Sequence, residues 1–160
     1  MFDWTDLGTF FLAFFVVLPL VTLIHGLGHL FFAWLFGAKN ARIIVGCGSV
    51  LGRLGMVEIR KIYFWYGTCD FEDLPTPRRH KALWIYLGGA LFNLLSIVLL
   101  NTLIWTGILG THNAFYQFAY FSFYYAFFAL VPIEYPDGEP SDGQAVLDWY
   151  RKGKLKRIKS

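Results

Sequence analysis

Charge is scarce in this sequence. Asp, Glu, Lys and Arg make up 16% of its 160 residues, against 56% apolar side chains. With a mean hydropathy of +0.48, that balance is too apolar for an ordinary soluble core and points to a bilayer as solvent. Cysteine is nearly absent: Cys47 and Cys69 stand alone, with no Cys-x-x-Cys pair. This excludes a cysteine-based zinc site and disfavours a structural disulfide, so both read as unpaired and structural. The first apolar run has no basic residue ahead of it and no small-residue cleavage site. It also outruns the core of a signal peptide, and so reads as a retained membrane helix.

Basic residues are missing from most of the chain as well. All 14 Lys and Arg fall within 39–81 and 151–159. Cytoplasmic segments retain such charges, so the N-terminus with Asp3 and Asp6 is expected outside, with the long first loop and the tail in the cytoplasm. Three crossings satisfy that pattern. Three apolar runs supply them at 10–36, 82–109 and 114–131, each near the roughly 20 residues that a bilayer requires. The expected fold is an all-α polytopic membrane protein of one domain, a three-transmembrane-helix bundle with a small interfacial β segment on the cytoplasmic side. Its helices span about 7–37, 77–109 and 114–132, with interfacial strands and loop at 38–76 and a short helix and basic tail at 141–160. A bacterial plasma membrane is the expected location. The tail reads first as a topology anchor, with anionic lipid or a partner as its other uses.

Local signals divide these segments. Gly37 marks a stop for helix one, and Pro19 predicts a kink in it, because proline lacks the backbone donor. β-Branched and aromatic runs at 41–48 and 56–65 predict strands, whose edge could accept an added strand or simply cover the bundle. Thr76-Pro77 has the form of a helix start. Helix two carries Gly88, Gly89 and the amide of Asn93, which suit close helix approach and interhelical hydrogen bonding. Ten of the fourteen residues from 115 to 128 are Phe or Tyr, a packing and lipid-facing stripe. Pro132 ends that run, and Ser141 could cap a short amphipathic helix.

One string carries chemistry. His25 and His29 stand four residues apart on a helix, so both imidazoles share a face and can reach one ion. Ionisable groups at membrane depth are costly and functional by default, although paired histidines also serve in packing. A carboxylate would complete a His-His-Asp zinc site with one position open. Asp142 returns to the same side of the membrane, and Asp137 shares its Asp-Gly context; either could instead form a turn or cap.

With these residues in view, the sequence resembles the site-2 protease family of intramembrane zinc metalloproteases over nearly its whole length. The likeness rests on His25 to His29 followed by Leu35-Phe36-Gly37, on the Gly-rich segment from Gly46, on Gly89 to Asn93, and on Pro132 leading to Asp142-Gly143. It implies zinc held by His25, His29 and Asp142, and Asn93 and Pro132 near substrate or in packing. The implied partners are membrane lipid and a membrane protein or transmembrane peptide, with no nucleic acid. Two positions depart from the family. Gly26 stands where its general-base glutamate is expected, and Ala129 where an asparagine is expected. A positioned base contributes typically about 10²–10⁴-fold. The resemblance therefore implies a scaffold able to bind metal, catalytically inactive as written, and acting as a binding or regulatory subunit. The alternatives are an active protease with a base from Glu134, Glu58 or a partner, a disabled form that Glu at position 26 would restore, and a structural membrane protein without metal.

Overall fold

The computed structural model describes residues 4–72, 79–135, 138 and 140–152. Thr76-Pro77, Asp137 and the basic tail beyond 152 lie outside the described residues. Helix α1 (Trp4–Leu12) passes into a π-helical stretch (Ala13–Val17) and on into α2 (Leu18–Leu35). The irregularity expected at Pro19 takes this form. A proline near the start of α2 cannot donate to the carbonyl four residues back and crowds it, and a widened π turn relieves that conflict. At the other end Gly37 adopts φ +97, a left-handed conformation that costs glycine little. Its N–H donates to Trp34 O at 3.0 Å and Ala38 N–H donates to Ala33 O at 2.9 Å, the paired bonds of a Schellman stop.

Two strands follow, β1 (Lys39–Leu54) and β2 (Val57–Glu72), each longer than the runs that predict them. They pair antiparallel with several register shifts, and Gly46 and Gly48 at φ +88 and +90 let β1 turn within its length. Residues 43–45 consequently have partners on both sides, Cys69, Thr68 and Gly67 on one and Val57, Glu58 and Ile59 on the other. An added strand finds no free edge along this stretch. Cys47 and Cys69 are not joined in a disulfide.

Helices α3 (Arg79–Trp105), α4 (Asn113–Leu130) and α5 (Asp142–Lys152) complete the chain. Ser141 caps α5 as predicted. Its hydroxyl accepts from Gln144 N at 3.1 Å and from Ile133 N at 3.2 Å, and donates to Val131 O at 2.7 Å. One buried side chain thus ties the end of α4 to the start of α5.

The core has two parts, on opposite sides of α2. Ala33, Ala82, Ile85, Tyr86, Ala145 and Trp149 pack α2, α3 and α5 together. Leu30, Ala41, Ile43, Val45 and Cys69 pack α2 against the sheet. Outside these cores the helices expose large apolar side chains, among them Phe10, Phe15, Leu95, Leu99, Phe123 and Phe127. Such a surface is suited to hydrocarbon rather than water. The stretches Asp6–Leu35 and His80–Trp105, of 30 and 26 residues, are long and apolar enough to cross a membrane. The protein is mostly helical with a small sheet, and α4, 18 residues long, packs along α3.

Candidate metal centre

His25 and His29 are buried, at 1% and 0% exposure, on the face of α2 that meets α3. Asp142 is buried at the first turn of α5. Three atoms converge: His25 Nε2 and His29 Nε2 lie 3.0 Å apart, and Asp142 Oδ2 is 3.1 Å from the first and 3.3 Å from the second. Ligands held tetrahedrally at about 2.0–2.1 Å from zinc are separated by about 3.3 Å, so the triangle approximates one face of such a site. Among the described residues this is the group of His, Cys, Asp and Glu able to hold a metal.

Backbone contacts set the spacing. Gly28 packs directly on Gly88 O, and a Cβ at either glycine would collide with the other helix. The two helices therefore meet backbone to backbone beside the histidines. A Cβ on Gly89 would lie 2.5 Å from His25 Nε2 and 2.6 Å from His29 Nε2. This glycine leaves a cradle beside the nitrogens that any side chain would fill. Gly143 lies against the backbone of Leu130, which lets α5 approach closely enough for Asp142 to reach α2.

Outer partners orient the rings. His29 Nδ1 is 2.7 Å from Ile85 O, and because a carbonyl can only accept, that nitrogen carries a proton. A neutral His29 then turns the lone pair of Nε2 toward the Asp142 carboxylate, an acceptor facing an anion, which a cation or an added proton must reconcile. His25 Nδ1 lies 3.3 Å from the amide of Asn93, and Asn93 Oδ1 is buried without a partner. Turning the amide lets Oδ1 accept from His25 Nδ1–H and leaves Nε2 free to ligate. The ring of Tyr125 closes another side, edge-on to His25 with centroids 4.9 Å apart.

The remaining candidates do not join the site. A Cβ on Gly26 would meet Ile43 Cγ2 at 3.0 Å and Cys69 Sγ at 3.4 Å, and the Cys69 thiol is 3.5 Å from Gly26 O. The position where the resemblance expects a base thus faces apolar sheet residues. Glu58 is buried in the sheet between Arg53 at 2.8 Å and Arg60 at 3.0 Å, and so is not an available base. Glu134 is exposed in the turn after α4, its backbone bridged to Pro140. Pro132 lies in the same turn, between the two residues tied to Ser141. Ala129 is buried on α4. The sequence did not single out Ile85, Tyr125 or Ile43, and read Cys69 only as structural; a backbone carbonyl and contacts across distant segments leave no local signal.

A protein of Bacillus subtilis (strain 168) described as "Uncharacterized membrane protein YwmF" is 41% identical over 158 residues, covering 99% of each chain. This chain belongs to the YwmF family of membrane proteins. No family model and no solved structure matches it. As a member of the YwmF family it is a membrane protein, in keeping with its two membrane-length helices and its exposed apolar surface.

Proposed function

We propose that this chain is a site-2-protease-like membrane scaffold that holds zinc through His25, His29 and Asp142 without cutting peptide bonds. In this reading it serves as a binding or regulatory subunit for a membrane protein or transmembrane peptide. The carrying observation is the convergence of three buried ligand atoms within 3.0–3.3 Å, with His29 Nδ1 already committed to Ile85 O. The Gly89 cradle suits a cation at that point, and the Asn93 amide beside His25 Nδ1 can orient that ring with Nε2 turned inward. Zinc, when bound, would supply Lewis acidity. The chain's own groups provide the two imidazoles, the carboxylate and the outer contacts that orient them, and among the described residues they place no base beside the site. An active protease with a distant base has less support, since Glu58 is held by two arginines and Glu134 is exposed.

The topology belongs to the same proposal. Three crossings, with α4 as the third, put the N-terminus outside and the C-terminus in the cytoplasm, as the distribution of Lys and Arg favours. At 18 residues α4 is about 27 Å long, close to the roughly 30 Å of hydrocarbon. It also returns the chain to the histidine side, where Asp142 must be.

Metal analysis of the purified chain tests the proposal. We expect about one zinc per chain, lost to background in His29→Ala and in Asp142→Ala. Metal-free wild-type protein after exposure to zinc would overturn the metal reading. Chelator-sensitive cleavage of a transmembrane peptide by the unaltered chain would overturn the non-catalytic one.

A further inference from the structure

A second feature lies where α3 and α5 meet, away from the histidines. A cavity of about 170 Å³ is lined by His80, Leu83, Tyr86, Val146, Trp149 and Tyr150, and its wall is almost wholly apolar. Buried apolar cavities of similar size, about 150 Å³, take up small hydrocarbons. Its depth follows from α3, whose membrane-length stretch begins at His80. A cavity bounded by His80 and Leu83 therefore lies within the first turns of that stretch, where headgroups meet hydrocarbon. Tyr86, Trp149 and Tyr150 supply the aromatic rings typical of that level.

Charge identifies the occupant. His80 and Lys81 stand at the start of α3 and Arg151 near the end of α5, close in the chain to the lining residues Leu83 and Tyr150, so basic groups from both helices border the cavity. His80 and Arg151 are exposed, and Lys81, half-buried, rests its ammonium over Phe36 at 5.3 Å. The acidic residue nearest in α5, Asp148, is buried and accepts from Gln144 Nε2 at 3.0 Å, which turns it away from the surface. Hydrocarbon-lined space below a basic rim is complementary to an anionic amphiphile.

We propose that the α3–α5 cavity holds an acyl chain of one anionic phospholipid, whose phosphate sits against Lys81, Arg151 and the His80 imidazole. The lipid would brace α5 against α3. The site rests on the membrane placement of α3 alone, and requires neither the zinc reading nor a particular orientation across the bilayer.

The test uses the full chain in detergent, challenged with phosphatidylglycerol or phosphatidylcholine and read by native mass spectrometry. One phosphatidylglycerol should be retained, with about 25-fold preference over phosphatidylcholine, at about fivefold for each of Lys81 and Arg151. Val146→Trp, which fills the cavity, should lower retention about tenfold or more, as expected for displacing several methylenes. Lys81→Gln with Arg151→Gln should remove most of the preference and leave the cavity open. Equal retention of the two lipids by the unaltered chain would overturn the proposal, as would undiminished retention by a folded Val146→Trp. Should that variant not fold, phosphatidylglycerol with brominated chains decides: quenching that disappears in Trp149→Phe supports the site, and quenching unaffected by that change removes it. Glycerol phosphate competing as well as the whole lipid would show a headgroup site without a chain and would also overturn it.

Discussion

The two faces of α2 solve different problems with the same residue type. Toward α3, Gly28 brings the helix backbones together and the neighbouring His25 and His29 remain polar, buried and partnered. Toward the sheet, Gly26 admits Ile43 and Cys69, and the contact is apolar apart from the Cys69 thiol beside Gly26 O. Two glycines, two positions apart, thus serve opposite ends. Gly28 lets the α3 backbone approach beside the histidines, and Gly26 lets the sheet pack against the helix. Keeping the polar face while covering the adjacent one is what the proposed metal-holding scaffold without a base would require.

The comparison breaks most severely at α3. Gly89→Val inserts carbon at the cradle, 2.5–2.6 Å from the two ligand nitrogens. It should abolish zinc binding and cost about 3 kcal/mol through overpacking, measured by metal content and by denaturation in detergent. If zinc is retained, the glycine does not shape the site. On the other face, Gly26→Glu drives a carboxylate toward Ile43 and Cys69. We expect a loss of about 2–3 kcal/mol and no cleavage, with part of the stability returned by adding Ile43→Ala. Cleavage by the single variant would show that the sheet yields easily and that the two faces are less distinct than drawn.

Smaller changes sharpen the contrast. Asn93→Leu keeps the volume near His25 but removes the amide, and should weaken zinc affinity about 10–100-fold. Unchanged affinity in a competition titration would reduce Asn93 to interhelical packing. The weakest effect belongs to the sheet itself. Burial alone would raise the Glu58 carboxyl, but hydrogen bonds and charge from Arg60 and Arg53 outweigh it and hold it below its ordinary value. A depressed folded value means that the pair's contribution is present above about pH 4.5, the unfolded value, and is lost as pH falls through the lower folded one. Arg53 is largely exposed, so the contribution should be under about 1 kcal/mol. Melting curves of the unaltered chain and Glu58→Gln should converge at low pH; a constant gap would assign the difference to packing.

Much of this architecture was legible because it is local. An unbroken apolar run, a glycine stop after Phe36, β-branched strands and a serine cap at 141 act through neighbours in the chain, so their outcomes could be read in order. The His25 and His29 spacing belongs to the same class, since a helix alone puts both on one face. Strand lengths were less legible, because pairing extends them to 39–54 and 57–72 past the residues that favour them.

What the chain order could not decide is which distant groups meet. Asp142 reaches His25 across 117 positions because Ser141 and Gly143 fix α5 against the end of α4. Asp137 has the same local context; its place nearer the turn and the family resemblance favoured Asp142, but no local pattern by itself brings either carboxylate to the histidines. The neighbours of Gly26 are likewise set by how the sheet folds over α2. Periodicity determines which side of an element a residue occupies; only packed backbones at fixed distance determine what stands opposite it.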